Sequence, residues 1–272
     1  EDIITRIAVI RNGGTQEISV EKAASACLDF VTGDYDLLTF YGRHAMERNF
    51  QRTAIEHGSF RVGSRRGTSS HQHNPAVMLA ERDATEDAGN CLGMVFVYSG
   101  NFLCEAEKDQ FGQTRLLMGL HDDLFHYPLK AGEQLVIPET ILGYSEHGFG
   151  ALSRMFHRCI RNHICRGKYS HDIRPVLLNS WEAAYFDFDG NTICRLAEDA
   201  AGLGIDMVVM DDGWFGKRDD DNSGLGDWHV NEKKLGCTLG EMISKINGLG
   251  VKFGIWVEPE MVSEDSDLYR AH

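Results

Sequence analysis

The sequence predicts two domains of different class: an N-terminal antiparallel β-sandwich over residues 1–148 and, from residue 174, the opening of a (β/α)8 barrel. Three observations carry this. Short runs rich in aliphatic, aromatic and β-branched residues crowd the first half. Near Phe149 the apolar residues begin to recur at steps of three and four. From Arg174, apolar runs alternate with helical patterns, and each run ends in polar, acidic or aromatic residues.

The strands of the first half are read at ITRIAVI (4–10), LGMVFVY (92–98), NFLCEAE (101–107) and TRLLMGL (114–120), with Ser99-Gly100 as a tight turn between the second and third. Such a density of short strands fits a sandwich. Leu152, Met155, Phe156, Cys159, Ile160 and His163 then trace one helix face, stopped at Arg166-Gly167. This helix is expected to link the domains, within residues 149–173.

Beyond it, the apolar runs Val176–Leu178, Met207–Met210 and Phe253–Val257 read as strands buried on both faces, the mark of a parallel sheet covered by helices. Between them, Ile193, Leu196, Ala197, Ala200 and Leu203 trace a helix ended by Gly204. Leu239, Met242, Ile243, Ile246 and Leu249 trace another, ended by Gly250. A full barrel takes roughly 250 residues. Fewer than half that number follow Arg174, so only about the first three βα units are expected, and the barrel should be truncated.

Composition narrows the function. The chain has 272 residues, 42% hydrophobic and 25% charged, as in a globular protein. Its net charge of −14 argues against binding nucleic acid, which requires neutralising phosphates. It argues equally against docking on anionic lipid. No stretch approaches the ~20 apolar residues of a membrane span, and EDIITRIAVI lacks the pattern of a signal peptide. The 7 cysteines are irregularly spaced with no CxxC, which suggests a reduced, cytoplasmic protein.

The richest segment is DDGWFGKRDDDNSGLGDW (211–228). Two adjacent carboxylates where a buried strand emerges are costly unless a ligand, a metal or donors satisfy them. Carboxylates accept well from sugar hydroxyls, and a neighbouring Trp can pack on a pyranose. The plainer reading is that Asp211 or Asp212 caps a helix or pairs with an Arg. RPVLLNSWEAAYFDFD (174–189) puts Trp181 at the end of the first barrel strand, where rim packing with Tyr185 is the commoner fate. GIWVEPEM (254–261) carries Trp256, Glu258 and Glu260. Two acids are what glycoside hydrolysis requires, but residues two apart on one strand share a wall and do not flank a bond. His71-Gln72-His73 lacks a third metal ligand. Arg218-Asp219-Asp220-Asp221 lacks the spaced ligands of a calcium loop and reads as a solvated loop.

Together these blocks resemble the bacterial α-galactosidases (melibiases) of glycoside hydrolase family thirty-six. The resemblance extends upstream to SRRGTSSHQHNP (64–75) and thinly to FYGRHAMER (40–48). It implies a large β-sandwich before a (β/α)8 barrel, a cytoplasmic homotetramer, and no metal or organic cofactor. It implies retaining hydrolysis of terminal α-linked galactose from sugars such as melibiose and raffinose. By motif match, Asp211 and Asp212 bind galactose hydroxyls, Trp256 walls the pocket and Trp181 sits at its mouth. His44 stands where the family usually has a substrate-contacting Trp. The family's nucleophile, in a Lys-Trp-Asp-type motif, and its acid/base Asp belong to later strands and have no match here, so no catalytic residue is expected in this chain. An α-N-acetylgalactosaminidase of the same family, or a non-catalytic sugar-binding fragment, are the alternatives.

Overall fold

A computed structural model describes residues 3–31, 33–69 and 71–272. Ser70, within the SRRGTSSHQHNP block, lies outside the described residues. The chain divides into two units, the first ending at His171 and the second running from Asp172 to His272.

Among the described residues of the first unit, twelve strands form three antiparallel sheets. The elements are β1 (Ile3–Arg11), β2 (Ile18–Val20), β3 (Ala24–Phe30), β4 (Tyr35–Arg43), β5 (Met46–Ala54) and β6 (Gly58–Gly63). They continue with β7 (His73–Glu81), β8 (Cys91–Phe96), β9 (Phe102–Lys108), β10 (Thr114–Leu120), β11 (Tyr127–Leu129) and β12 (Gln134–Ser145). A six-stranded sheet in the order β1-β12-β8-β7-β4-β5 faces a four-stranded sheet in the order β3-β10-β9-β6, and β11 pairs with β2. Leu37, Leu79, Met94 and Phe96 of the larger sheet interdigitate with Phe102, Cys104, Leu116 and Met118 of the smaller one. Ser99-Gly100 joins β8 to β9, which lie in different sheets. The expected tight turn is therefore a crossing between layers and not a hairpin.

The helix expected to link the domains is α1 (Gly148–Cys159), extended by a π-helical turn at Ile160–Ile164. It does not stand free between units. Its Leu152, Phe156 and Cys159 pack with Leu38, Ala80, Cys91 and Ile141 on the outer face of the large sheet. Adjacent residues Leu37 and Leu38 on β4 thus serve opposite faces, as strand alternation requires. Gly93 and Gly143, paired across β8 and β12, open the groove that receives the Phe156 ring.

The second unit holds β13 (Leu177–Asn179), β14 (Met207–Met210) and β15 (Lys252–Ile255) in one parallel sheet, in that order. The connections carry α2 (Trp181–Ala184), α3 (Gly190–Leu203), α4 (Glu232–Leu235) and α5 (Leu239–Gly248), and α6 (Asp267–Ala271) follows β15. Asp189 caps α3 by accepting from the Thr192 N–H at 2.7 Å, and Gly204 ends it at φ 77°. Thr238 and Glu241 form a reciprocal capping box on α5.

Leu178, Val208 and Phe253 share the sheet face that packs on Ile193, Ala197, Ala200, Met242 and Ile246. Burial on both faces, as the apolar runs suggested, is not observed. Leu177 is 48% exposed on the opposite face, and Met207 and Val209 beside it are half-buried. Helices cover one side of these strands only.

Candidate functional site

The parallel ladder continues past the ends of the strands. The Ser180 N–H donates to Val209 O, and the Trp256 N–H donates to Met210 O, both at 3.0 Å. This brings Asn179, Ser180, Asp211, Asp212 and Trp256 together at the C-terminal edge of the sheet, where barrel substrates bind. Asp211 is 8% exposed and Asp212 5%.

Asp211 has both oxygens engaged. Oδ1 accepts from the Asp212 N–H at 2.8 Å, and Oδ2 accepts from Asn179 Nδ2. Its own N–H donates to Ser180 Oγ at 3.0 Å, and Ser180 is fully buried. A carboxylate offers about four acceptor positions, so Asp211 keeps about two for a ligand.

Asp212 follows the plainer reading: it pairs with an Arg. Arg218 Nε reaches both Asp212 oxygens at 3.1 Å, and Nη2 reaches Oδ2 at 2.8 Å. Arg218 Nη1 donates to Ser223 O at 2.9 Å, and the guanidinium lies 5.6 Å from the centre of the Phe186 ring. Burial works against the charge on Arg218, but the bonds to Asp212 outweigh it and its pKa is raised. The expectation of a solvated loop at 218–221 therefore fails at its first residue: Arg218 is 4% exposed, while Asp219, Asp220 and Asp221 face solvent. An Arg that turns inward can offset a buried carboxylate, whereas the neighbouring acids stay hydrated, Asp219 pairing with Lys234 at 2.9 Å while it faces solvent.

Trp256 is held by its backbone, whose carbonyl accepts from Trp214 Nε1 at 2.9 Å. Its ring lies 6.4 Å from that of Trp228, which packs at 4.4 Å on Phe215. Trp181 opens α2, with its N–H bonded to Asn179 Oδ1 at 2.7 Å. Its ring meets Tyr185 and Phe186 edge-on, at 5.1 Å each. Glu258 is half-buried just beyond β15. Burial pushes its pKa up, and Glu260 nearby adds to the effect.

His44 lies in the first unit, exposed in the turn between β4 and β5. That unit also holds a polar cleft of about 590 Å³ lined by Gln51, Arg61, His73 and His121 among others. None of the carboxylate-site residues belongs to it.

Sequence reasoning missed Asn179 and Arg218, which orient the two acids, and Trp214 and Trp228, which support Trp256. The sequence carries no signal that joins Asn179 to Asp211, because the register Asn179↔Val209 that sets them side by side exists only in the folded sheet. No local signal separates Lys217, which pairs with Asp265 at the surface, from Arg218, which turns inward.

Comparison with known proteins agrees with these motifs. The family model for melibiase matches residues 135–272, and the glycosyl hydrolase family 36 N-terminal domain matches residues 1–130. The chain belongs to glycoside hydrolase family 36. Within the family it is 67% identical over 271 residues to the bifunctional alpha-galactosidase/sucrose kinase AgaSK of Mediterraneibacter gnavus, covering 100% of this chain and 29% of that protein. It is 45% identical over 271 residues to alpha-galactosidase AgaA of Geobacillus stearothermophilus, covering 100% of this chain and 37% of that protein. A solved structure of an AgaA variant in complex with raffinose superposes with a TM-score of 0.96 at 44% identity, covering 100% of this chain and 38% of that one. The chain thus spans about a third of the length of these family 36 relatives.

Proposed function

We propose that this chain is part of a longer retaining α-galactosidase and that Asp211 and Asp212 grip the galactosyl group of its substrate. One observation carries the reading: two adjacent buried carboxylates sit at the C-terminal edge of a parallel sheet, held by donors yet with acceptor positions left over. The raffinose complex of a family 36 relative supports the substrate class.

In this reading β13, β14 and β15 are the first strands of a (β/α)8 barrel, closed by further strands over the face that carries Leu177 and Val209. Retaining hydrolysis needs two carboxyl groups about 5–5.5 Å apart across the scissile bond. Glu258 and Glu260 lie two residues apart in the loop just after β15, which ends at Ile255 and not at Val257, and two acids so close along one loop do not flank a bond; the nucleophile and the acid/base belong to later strands. Trp256 walls the galactose pocket and Trp181 stands at its mouth. His44 is assigned to the outer part of the substrate by its family position alone. The whole enzyme acts as a cytoplasmic homotetramer, without metal or organic cofactor. The seven free thiols fit a reducing compartment, and no described helix is long and apolar enough to cross a membrane.

Galactose differs from glucose in its axial 4-hydroxyl. A site built to bond that hydroxyl leaves its own buried groups unpaired with the equatorial epimer, which discriminates strongly. The test is kcat/KM on nitrophenyl α-galactoside and α-glucoside, in the full-length enzyme, for Asp211→Asn and Asp212→Asn. Each is expected to lose roughly tenfold to a hundredfold on the galactoside and part of its preference. Wild-type activity and preference in both variants would overturn the reading.

A further inference from the structure

We propose that Arg218 is a positioning residue for sugar recognition: its guanidinium fork fixes the plane of the Asp212 carboxylate, so that Oδ1, the less engaged oxygen, points an acceptor position at a galactose hydroxyl. The inference rests on the function proposed above and assigns a role to a residue that makes no substrate contact of its own.

The loop around Arg218 is built to hold it. Its Nε–H is shared between both Asp212 oxygens, Nη2 donates to Oδ2, and Nη1 is anchored on the Ser223 carbonyl. The Phe186 ring packs near the guanidinium. Gly224, at φ 82°, lies so close to the Arg218 backbone that an added Cβ would come within 3.2 Å of the Arg218 N and Cβ. Gly213, at φ 100°, brings the chain from Asp212 back past the Arg218 carbonyl. The side chain thus has little freedom, while the three acids that follow it are exposed.

Stability is a weak reason for such a pair. Desolvating two charges offsets most of what their attraction returns, and apolar replacements of both partners are often no less stable. Geometry is the stronger reason. A guanidinium meets a carboxylate as a planar fork, which sets the orientation as well as the charge. An ammonium at the same place supplies charge without a plane. Asp212 accepts two hydrogens, the Nε one shared between both oxygens and the Nη2 one on Oδ2, out of about four positions. The fork therefore decides which lone pairs are left and where they point. Asp211 is oriented differently, by the neutral amide of Asn179. The two acids are fixed from opposite sides of the motif, and neither depends on substrate for its orientation.

The experiment uses the full-length enzyme and four proteins besides wild type: Asp212→Asn, Arg218→Lys, Arg218→Met, and Arg218→Met combined with Asp212→Asn. Each is assayed for kcat/KM on nitrophenyl α-galactoside and α-glucoside, with thermal melting alongside. Arg218→Lys keeps the charge and is expected to lose roughly tenfold or more in kcat/KM for the galactoside, and to lower the galactoside-over-glucoside ratio. A purely structural residue would not move that ratio at a matched melting temperature. Arg218→Met leaves Asp212 buried and unpaired, so it can unfold the site. The combined variant removes that charge as well. It is expected to match Asp212→Asn alone, because without the carboxylate the fork has nothing to orient. A wild-type ratio in Arg218→Lys, or a further tenfold loss in the combined variant beyond Asp212→Asn, overturns the proposal. Wild-type turnover in Asp212→Asn overturns the assignment of a galactose contact to Asp212, and with it this proposal, and is distinguished by that variant alone.

Discussion

Replacing Asp211 by Asn tests the site with a magnitude that follows from its hydrogen bonds. Both carboxylate oxygens of Asp211 face donors: the Asp212 N–H and the amide of Asn179. A carboxamide has one acceptor and one donor end, so Asp211→Asn turns one of these bonds into a donor facing a donor. Rotating the Asn179 amide gives no relief, because its Oδ1 already accepts from the Trp181 N–H at 2.7 Å. Losing a bond to a charged acceptor and leaving a buried donor unpaired costs about 2–3 kcal/mol. For a unit of about 100 residues that is a fall in Tm of roughly 10–20 °C. Combining Asp211→Asn with Asn179→Asp reverses the polarity of the pair. The new amide at 211 donates to the new carboxylate at 179, which still accepts from the Trp181 N–H. The double variant is therefore expected to melt within about 1 kcal/mol of wild type. Galactoside hydrolysis by the full-length enzyme should remain impaired, since the ionised oxygens have moved one strand away. Melting of the chain by circular dichroism, paired with the nitrophenyl galactoside assay, reads both quantities. A single Asp211→Asn that melts like wild type would refute the hydrogen-bond argument. A double variant with restored turnover would refute the assignment of recognition to Asp211.

Three further outcomes are expected. Gly93→Ala places a Cβ 2.3 Å from the Phe156 ring and should destabilise the chain by about 1–3 kcal/mol in a denaturant titration; adding Phe156→Leu should recover part of the loss, and no change in either would show that α1 does not seat as described. Glu258, whose folded pKa is raised by burial and by Glu260, carries no stability penalty in acid and gains one as pH rises from the ordinary carboxylate range through the raised value; Glu258→Gln should therefore stabilise the chain at neutral pH and not in acid, and a pH-independent difference in melting would contradict this. Cys27 and Cys165 are exposed, whereas burial pushes the Cys91 thiol up to about 11 and the Cys104 thiol to about 12; a thiol reagent at neutral pH should label the exposed pair in the native chain and reach Cys91 and Cys104 only after unfolding, as peptide mapping would show.

Legibility in the sequence followed burial. TRLLMGL was readable as β10 because its alternating residues enter the sandwich core. MERNFQRTA was not readable as β5, because it is the sheet's edge strand and is largely exposed along its length. In β12, Pro138 argues against a strand, but it falls at the irregularity where pairing skips from Ile137 to Thr140, so its missing N–H is tolerated there. The helices α3 and α5 were legible down to their glycine stops, since a capped amphipathic helix is a local object.

The sequence by itself determined the order of the two domains, the three parallel strands, and the placement of Asp211, Asp212, Trp181 and Trp256 just after those strands. Each of these depends on periodicity or on position along the chain. Only the tertiary structure decided what each acid does there. Asn179 reaches Asp211 across 32 residues and a strand pairing. Arg218 turns inward while its neighbour Lys217 turns out, and the difference lies in the path of a glycine-rich loop. Contacts of this kind are set by packing in three dimensions, and a carboxylate's remaining lone pairs are known only once its partners have been placed.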